Sequence, residues 1–191
     1  VLSAPGEIRH VDQDIPFAAV TSVTTSHVAR KQGLASRLTA RAIARDASDG
    51  AMLVGLGIFE QGFYNQLGFG NGNYEHWASF DPARLRIQVA ARIPRRLTQD
   101  DWEMVHAARL ARQRGHGAVN LHPAGITRGE MMWSDKNFGL GYCDGLDGAL
   151  THHVWFVSKG MEHGPYRVEW MTYQTPEQFL ELMALIHNLG D

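Results

Sequence analysis

Disulfide chemistry is absent from this chain of 191 residues, because Cys143 is its single cysteine. One cysteine cannot form an internal bridge or a cysteine-based zinc site, and it fits a reducing compartment. Long hydrophobic runs are missing too; none approaches the length that spans a membrane, and no signal peptide opens the sequence. Charge of one sign is scarce. With a formal net charge of −2, nothing argues for a nucleic-acid or membrane partner. What remains, 44% hydrophobic and 20% charged residues, is the composition of a soluble globular protein, with a cytoplasmic location as the default expectation. The length allows one large domain or two small ones.

The organising stretch runs from Phe17 to Asp46. Phe17–Val23 is apolar, small and β-branched, as in a buried strand, and with the preceding residues predicts a strand over Ile15–Thr25. Leu34–Asp46 reads as a helix with Leu34, Leu38 and Ala42 on one face. The turn between them carries Arg30 and Gly33. A strand that passes through a glycine turn into a helix leaves unpaired N–H groups and the positive end of the helix dipole pointing one way. That is an anion site, and phosphate is its usual occupant. The wording of the turn excludes Gly-x-x-x-x-Gly-Lys-Ser/Thr and Gly-x-Gly-x-x-Gly.

Ala47–Gly50 stops the helix, and the apolar run Ala51–Phe59 reads as a strand buried on both faces, completing a parallel crossover. Glu60–Leu67 then predicts a short helix ended by Gly68, with a further strand over Tyr74–Phe80. Upstream, Val1–Asp14 reads as a polar strand and a hairpin turn.

Arg30-x-x-Gly33-x-Ala35 resembles the pyrophosphate loop of the GNAT superfamily of acyl-CoA-dependent N-acetyltransferases. Phe63-Tyr64-Asn65-Gln66-Leu67-Gly68-Phe69 is similar to the Phe-Tyr-x-x-x-Gly-Phe segment that follows the crossover there. Val20-Thr21-Ser22-Val23-Thr24-Thr25 before the turn and Tyr64-x-x-Leu67-Gly68-Phe69-Gly70 after it narrow the resemblance to the Eis-like (enhanced intracellular survival) branch. That branch has two fused GNAT-type modules and a sterol-carrier-like domain. The likeness covers about Ile15–Tyr74. His27 departs from it, since the branch commonly has a proline there.

The resemblance implies a mixed α/β (α+β) fold, a GNAT-type mixed sheet flanked by helices, and acetyl-CoA as cosubstrate. Val23 and Thr25 would offer backbone groups to the pantetheine arm. Arg30, Lys31, Gln32, Gly33, Leu34 and Ala35 would wrap the pyrophosphate. Tyr64 would be the general acid that protonates the leaving thiolate; its other reading is a core aromatic with a tethered hydroxyl. In the Eis-like branch the C-terminal carboxylate is the base, and it has no assigned counterpart here. The acceptor would be a primary amine of a small molecule or peptide. A non-catalytic acyl-CoA-binding or assembly module of the same fold is the alternative.

Beside these, Arg37, Arg41 and Arg45 form a helical stripe that reads as a solvated face. Glu60 reads equally as a base near Tyr64 or as a first-turn carboxylate. The histidines (His106, His116, His122, His152, His153, His163 and His187) share no metal-binding spacing, so they read as scattered surface residues and no metal is expected. His152 and His153, adjacent on a strand, point to opposite faces.

Residues 1–80 are thus expected to form the C-terminal part of an acetyl-CoA-binding module. Residues 81–97, basic and proline-bearing, form a connection, and 98–191 an incomplete second GNAT-like module. That second part reads as a helix over Gln99–Arg114, a broken stretch to Met132, strands over Phe138–Cys143, His152–Lys159 and Tyr166–Tyr173, and a last helix from Pro176. It has no second Arg-x-x-Gly-x-Ala turn; Gln174-Thr175-Pro176 stands in its place. The absence of the family's first strands implies a fragment with an open sheet edge, prone to aggregate or form homo-oligomers.

Overall fold

The computed structural model describes residues 1–57, 61–72, 74–160 and 164–190. They divide into two compact units, one of Val1–His76 with Arg114–Pro123 and one of Trp77–Gln113 with Ala124–Asp191. Among the described residues no helix is long and apolar enough to cross a membrane.

The first unit begins with a hairpin, β1 (Leu2–His10) and β2 (Gln13–Thr21), paired antiparallel from Leu2–Thr21 to His10–Gln13. Helix α1 (Leu34–Ser48) leads on to β3 (Leu53–Gly55), which pairs parallel with Phe17–Ala19 of β2. The short α2 covers Gln61–Asn65. The strand order is β3-β2-β1-β5, where β5 is Val119–Leu121 and runs antiparallel to Gly6–Ile8.

Gly6 makes that last pairing possible, because a Cβ there would lie 2.0 Å from the Asn120 carbonyl oxygen. Part of the β1 edge that was expected to stand open is therefore closed, by a segment the sequence had placed in a loop. Ser3 Oγ donates to Asp46 Oδ2 at 2.6 Å and ties β1 to α1.

Two further expectations for this unit change. β3 is a sheet edge with Leu53 exposed, not a strand buried on both faces; Ile58 and Phe59 lie outside the described residues. Tyr74–Phe80, which runs across the boundary into the second unit, forms no strand, and Tyr74 and Trp77 are exposed. On α1 the buried position is Thr39, whereas Leu38 is 48% exposed. The inward face is therefore turned by one residue from the apolar stripe read in the sequence.

The second unit is an antiparallel sheet in the order β4-β6-β7-β8: Arg95–Leu97, Asn137–Tyr142, His152–Ser158 and Tyr166–Thr172. Helix α3 (Trp102–Ala111) follows a 3-10 turn capped by Thr98, and α4 spans Ala124–Met131. The expected helix to Arg114 ends earlier, because Arg112 is already extended (φ −61°, ψ 155°).

One face of this sheet carries Leu97, Val105, Ala108, Met131, Leu150 and Trp155. The other carries Tyr142, Val154, Phe156, Leu182, Leu185 and Ile186, the last three from α5 (Pro176–His187). Alternation along β7 sends Trp155 to the first face and Val154 and Phe156 to the second. Trp155 fits because it lies over Gly139, where a Cβ would meet its ring at 2.5 Å. Thr175 caps α5 by accepting from Gln178 N, and Gln178 reciprocates in a capping box, as the Thr-Pro-Glu start predicted. β4 falls within the expected 81–97 connection and was not foreseen; three residues with two arginines carry no strand pattern.

Candidate active site

The ladder between β2 and β3 stops at Ala19–Gly55, while β2 itself continues to Thr21. Ser22 then takes a left-handed conformation (φ +51°) and β2 ends. Ser22–Ser26 runs on without regular structure to a 3-10 turn at His27–Ala29. Val23 and Thr25 lie in this run, half-buried, between more exposed neighbours.

Arg30, Lys31 and Gln32 follow, all exposed, with Lys31 at φ +61°. A lysine held left-handed is locally strained, at a cost on the order of 1 kcal/mol. Gln32 Nε2 donates to the Val28 carbonyl at 3.5 Å and tightens the loop. Gly33, at φ +70°, is the N-cap of α1, and no side chain caps this end. The first N–H groups of α1 have no intrahelical acceptor, so they face outward with the positive pole of the helix beside Arg30 and Lys31. A Cβ at Gly33 would meet no atom within 4 Å beyond its chain neighbours, so this side of the turn is open. Leu34 and Ala35, half-buried, open the helix. All six loop residues are thus brought to one helix end.

Tyr64 sits on α2, 4% exposed, with edge-on contacts to the rings of Phe63 and Phe69. Gly68 (φ +89°) ends this turn, and the Gly68 and Phe69 N–H groups donate back to the Asn65 and Tyr64 carbonyls. Tyr64 belongs to the same compact unit as the loop. Glu60 lies outside the described residues. Arg37, Arg41 and Arg45 are exposed, and Arg45 pairs with Asp49 at 3.1 Å, as a solvated stripe should.

The histidines require a correction. His163 lies outside the described residues, but His106, His152 and His153 are buried, the last two completely. His152 and His153 face opposite sides of β7. His152 stacks on Tyr142 and bonds Glu181 Oε2 at 3.0 Å through Nε2. His153 Nε2 accepts from Trp170 Nε1 at 3.0 Å, which makes Nδ1 the protonated nitrogen. Burial pushes both imidazoles below the ordinary range, His153 to about 3. The sequence could not identify them as core, because histidine on a strand is equally at home outside.

Ligand atoms of Asp144, His152 and Glu181 lie within 4.8 Å of one another, a donor set that could hold a metal ion. Its cation in this structure is Arg92. Its guanidinium bonds both oxygens of Asp144 (3.0 and 2.6 Å) and both of Glu181 (2.7 and 2.8 Å), and lies 4.8 Å from the Tyr142 ring centroid. The Arg92 hydrogen bonds hold Glu181 down at about 2. This junction joins positions up to 89 residues apart, so no local motif announces it.

Residues 3–72 match the family described as acetyltransferase (GNAT) domain. No curated protein matches the sequence significantly. Among solved structures, Eis1 from Mycobacterium abscessus is similar with a TM-score of 0.69 at 16% identity, over 98% of this chain and 50% of its own. A probable N-acyltransferase from Enterococcus faecalis V583 is similar at 0.65 and 18%, over 97% and 47%. A GCN5-related N-acetyltransferase from Anabaena variabilis is similar at 0.65 and 18%, over 97% and 48%. The chain spans about half the length of these structures. The family match is confined to residues 3–72, and the two sheets flanked by helices have the mixed α+β fold of these solved structures.

Proposed function

We propose that this protein transfers an acetyl group from acetyl-CoA to a primary amine of a small molecule or peptide. The observation that carries the proposal is the uncapped N-terminus of α1, entered through Gly33 and flanked by Arg30, inside the segment that matches the GNAT domain. Acetyl-CoA, when bound, supplies an acetyl thioester. Backbone N–H groups of residues 30–35 would hold the pyrophosphate, with Arg30 and Lys31 adding charge. Backbone groups of Val23 and Thr25 would pair with the pantetheine arm beyond the end of the β2–β3 ladder, as an added strand would.

Tyr64 would then act as general acid. The amine nitrogen forms a bond to the acetyl carbon, the carbon–sulfur bond breaks, and the Tyr64 hydroxyl donates its proton to the departing sulfur. The proton lost by the amine goes to a base that this reading leaves unassigned. Residues 1–80 are read as the CoA-binding module, joined by the strand Val119–Leu121; 81–97 as a connection; and 98–191 as a second GNAT-like module without a phosphate loop. A cytoplasmic setting suits the lone Cys143, and the partners are an acyl-CoA and an amine, with neither nucleic acid nor membrane invoked.

One observation favours a second reading, a non-catalytic acyl-CoA-binding module: Tyr64 is buried against Phe63 and Phe69, as a core tyrosine would be. Release of free CoA thiol from acetyl-CoA, followed with a panel of aminoglycosides, polyamines and peptides, separates the two. Amine-dependent release that falls on the order of 10²–10⁴-fold in Tyr64→Phe, with CoA affinity unchanged, supports the enzyme. Release at the rate of plain hydrolysis for every amine, despite CoA binding, supports the binding module.

A further inference from the structure

The second unit contains a cavity of about 330 Å³, at the small end of the range for ligand pockets. It lies on the α3–α4 face of the sheet, and Trp133, Trp170, Arg109, Glu130, Arg167 and Glu169 supply its aromatic and charged walls. None of these residues belongs to the acetyl-transfer reading.

The strand β8 is bent to build it. Trp155 pairs with Trp170, but the next pair is Phe156 with Val168, so Glu169 is an extra residue, a β-bulge. In a regular strand Glu169 and Trp170 would face opposite sides. The bulge lets Arg167, Glu169 and Trp170 all line one cavity.

The charges alternate. Arg167 bonds Glu169, and Arg109 bonds Glu130. Arg109 is further fixed by Thr127 Oγ1 at 3.1 Å and by the Trp170 ring, 4.6 Å from its centroid. Each guanidinium has further N–H donors beyond these bonds, and each carboxylate has a second oxygen, so two cationic and two anionic groups line the same space. A ligand of one charge sign meets its own sign on half of this wall. A molecule with an ammonium and a carboxylate side by side meets neither penalty: its ammonium replaces water on Glu169 or Glu130, and its carboxylate does so on Arg167 or Arg109. Trp133, 89% exposed, stands at the mouth as an aromatic surface for an apolar side chain.

We infer that this cavity, between the β8 bulge and the α4–β6 turn, is a binding site for a zwitterionic small molecule, a free α-amino acid. None of its lining residues belongs to the acetyl-CoA reading, so the experiment omits acetyl-CoA. The whole chain is titrated calorimetrically with each of the twenty free L-amino acids, and any binder is compared with its N-acetyl and carboxamide derivatives. At least one amino acid is expected to bind, and masking either charge is expected to weaken it about tenfold or more, as for a lost charge-assisted hydrogen bond. In Glu169→Gln the N-acetyl derivative should lose less than in the parent, and in Arg167→Gln the carboxamide should. Trp133→Ala, which removes an exposed ring and leaves folding alone, should weaken apolar amino acids. Absence of binding by all twenty, or equal binding of the masked derivatives, overturns the inference.

Discussion

Replacing Arg92 by methionine tests the electrostatic junction of the second unit. The methionine keeps much of the aliphatic stem and removes the cation that hydrogen-bonds both Asp144 and Glu181. Glu181, 13% exposed and bonded to the buried His152, is left with its charge partly desolvated. Holding a carboxyl at about 2 rather than 4.5 corresponds to about 3 kcal/mol of stability at neutral pH. Arg92 is 55% exposed, so solvent screens the pair and a loss of about 1–2 kcal/mol is expected.

The sign follows from linkage. A carboxyl whose folded value is depressed contributes stability that is complete above its unfolded value and is lost as pH falls through the folded one. The gap between parent and variant should therefore be full at pH 7 and narrow below about pH 4.5. Urea unfolding followed by tryptophan fluorescence, which reports the stacked Trp155 and Trp170, measures it at pH 7, 5 and 3.5. Equal stability at pH 7, or a gap that does not change with pH, refutes the reasoning.

Other expectations concern particular contacts. Gly6→Val should push β5 off β1, because the added Cβ meets the Asn120 carbonyl at 2.0 Å; a loss of about 1–3 kcal/mol and faster amide exchange at Val119–Leu121 are the readouts. Thr175→Ala removes the acceptor for Gln178 N at the start of α5 and should cost about 1 kcal/mol in thermal unfolding. His152 and His153 both sit below their ordinary value, so their contribution is present above about pH 6.5 and lost progressively below it; the melting temperature should fall from pH 7 toward pH 5, and His153→Gln should flatten that slope.

Much of this architecture was legible because local physics and tertiary packing agreed. The Thr175-Pro176-Glu177 start of α5, the apolar pattern of β6–β8 and the strand–turn–helix around Gly33 were each readable from a few adjacent residues. The places that were not legible have a common cause, contacts made at long range. β5 is three residues long, and its strand identity comes from the bare Gly6 edge over a hundred positions earlier. The buried face of α1 centres on Thr39, which no hydrophobicity scale selects, while Leu38 points outward. Arg92 looked like part of a basic connection, yet it closes a junction with Asp144 and Glu181. The β8 bulge needs the partner register to be seen at all. In the candidate site, the loop was readable because its glycine, charge and helix start are contiguous, whereas the burial of Tyr64 between Phe63 and Phe69 decided nothing about its chemistry in advance.

The central claim, that the Gly33 end of α1 holds the pyrophosphate of CoA, is tested most directly by calorimetric titration of CoA into the chain and into Gly33→Glu. A glutamate at this position carries negative charge into the open space beside the turn, against a backbone at φ +70°. Circular dichroism and melting of the variant report its fold independently. Binding to the parent and its loss in a Gly33→Glu protein that remains folded are expected. Unchanged CoA affinity in that folded variant contradicts it.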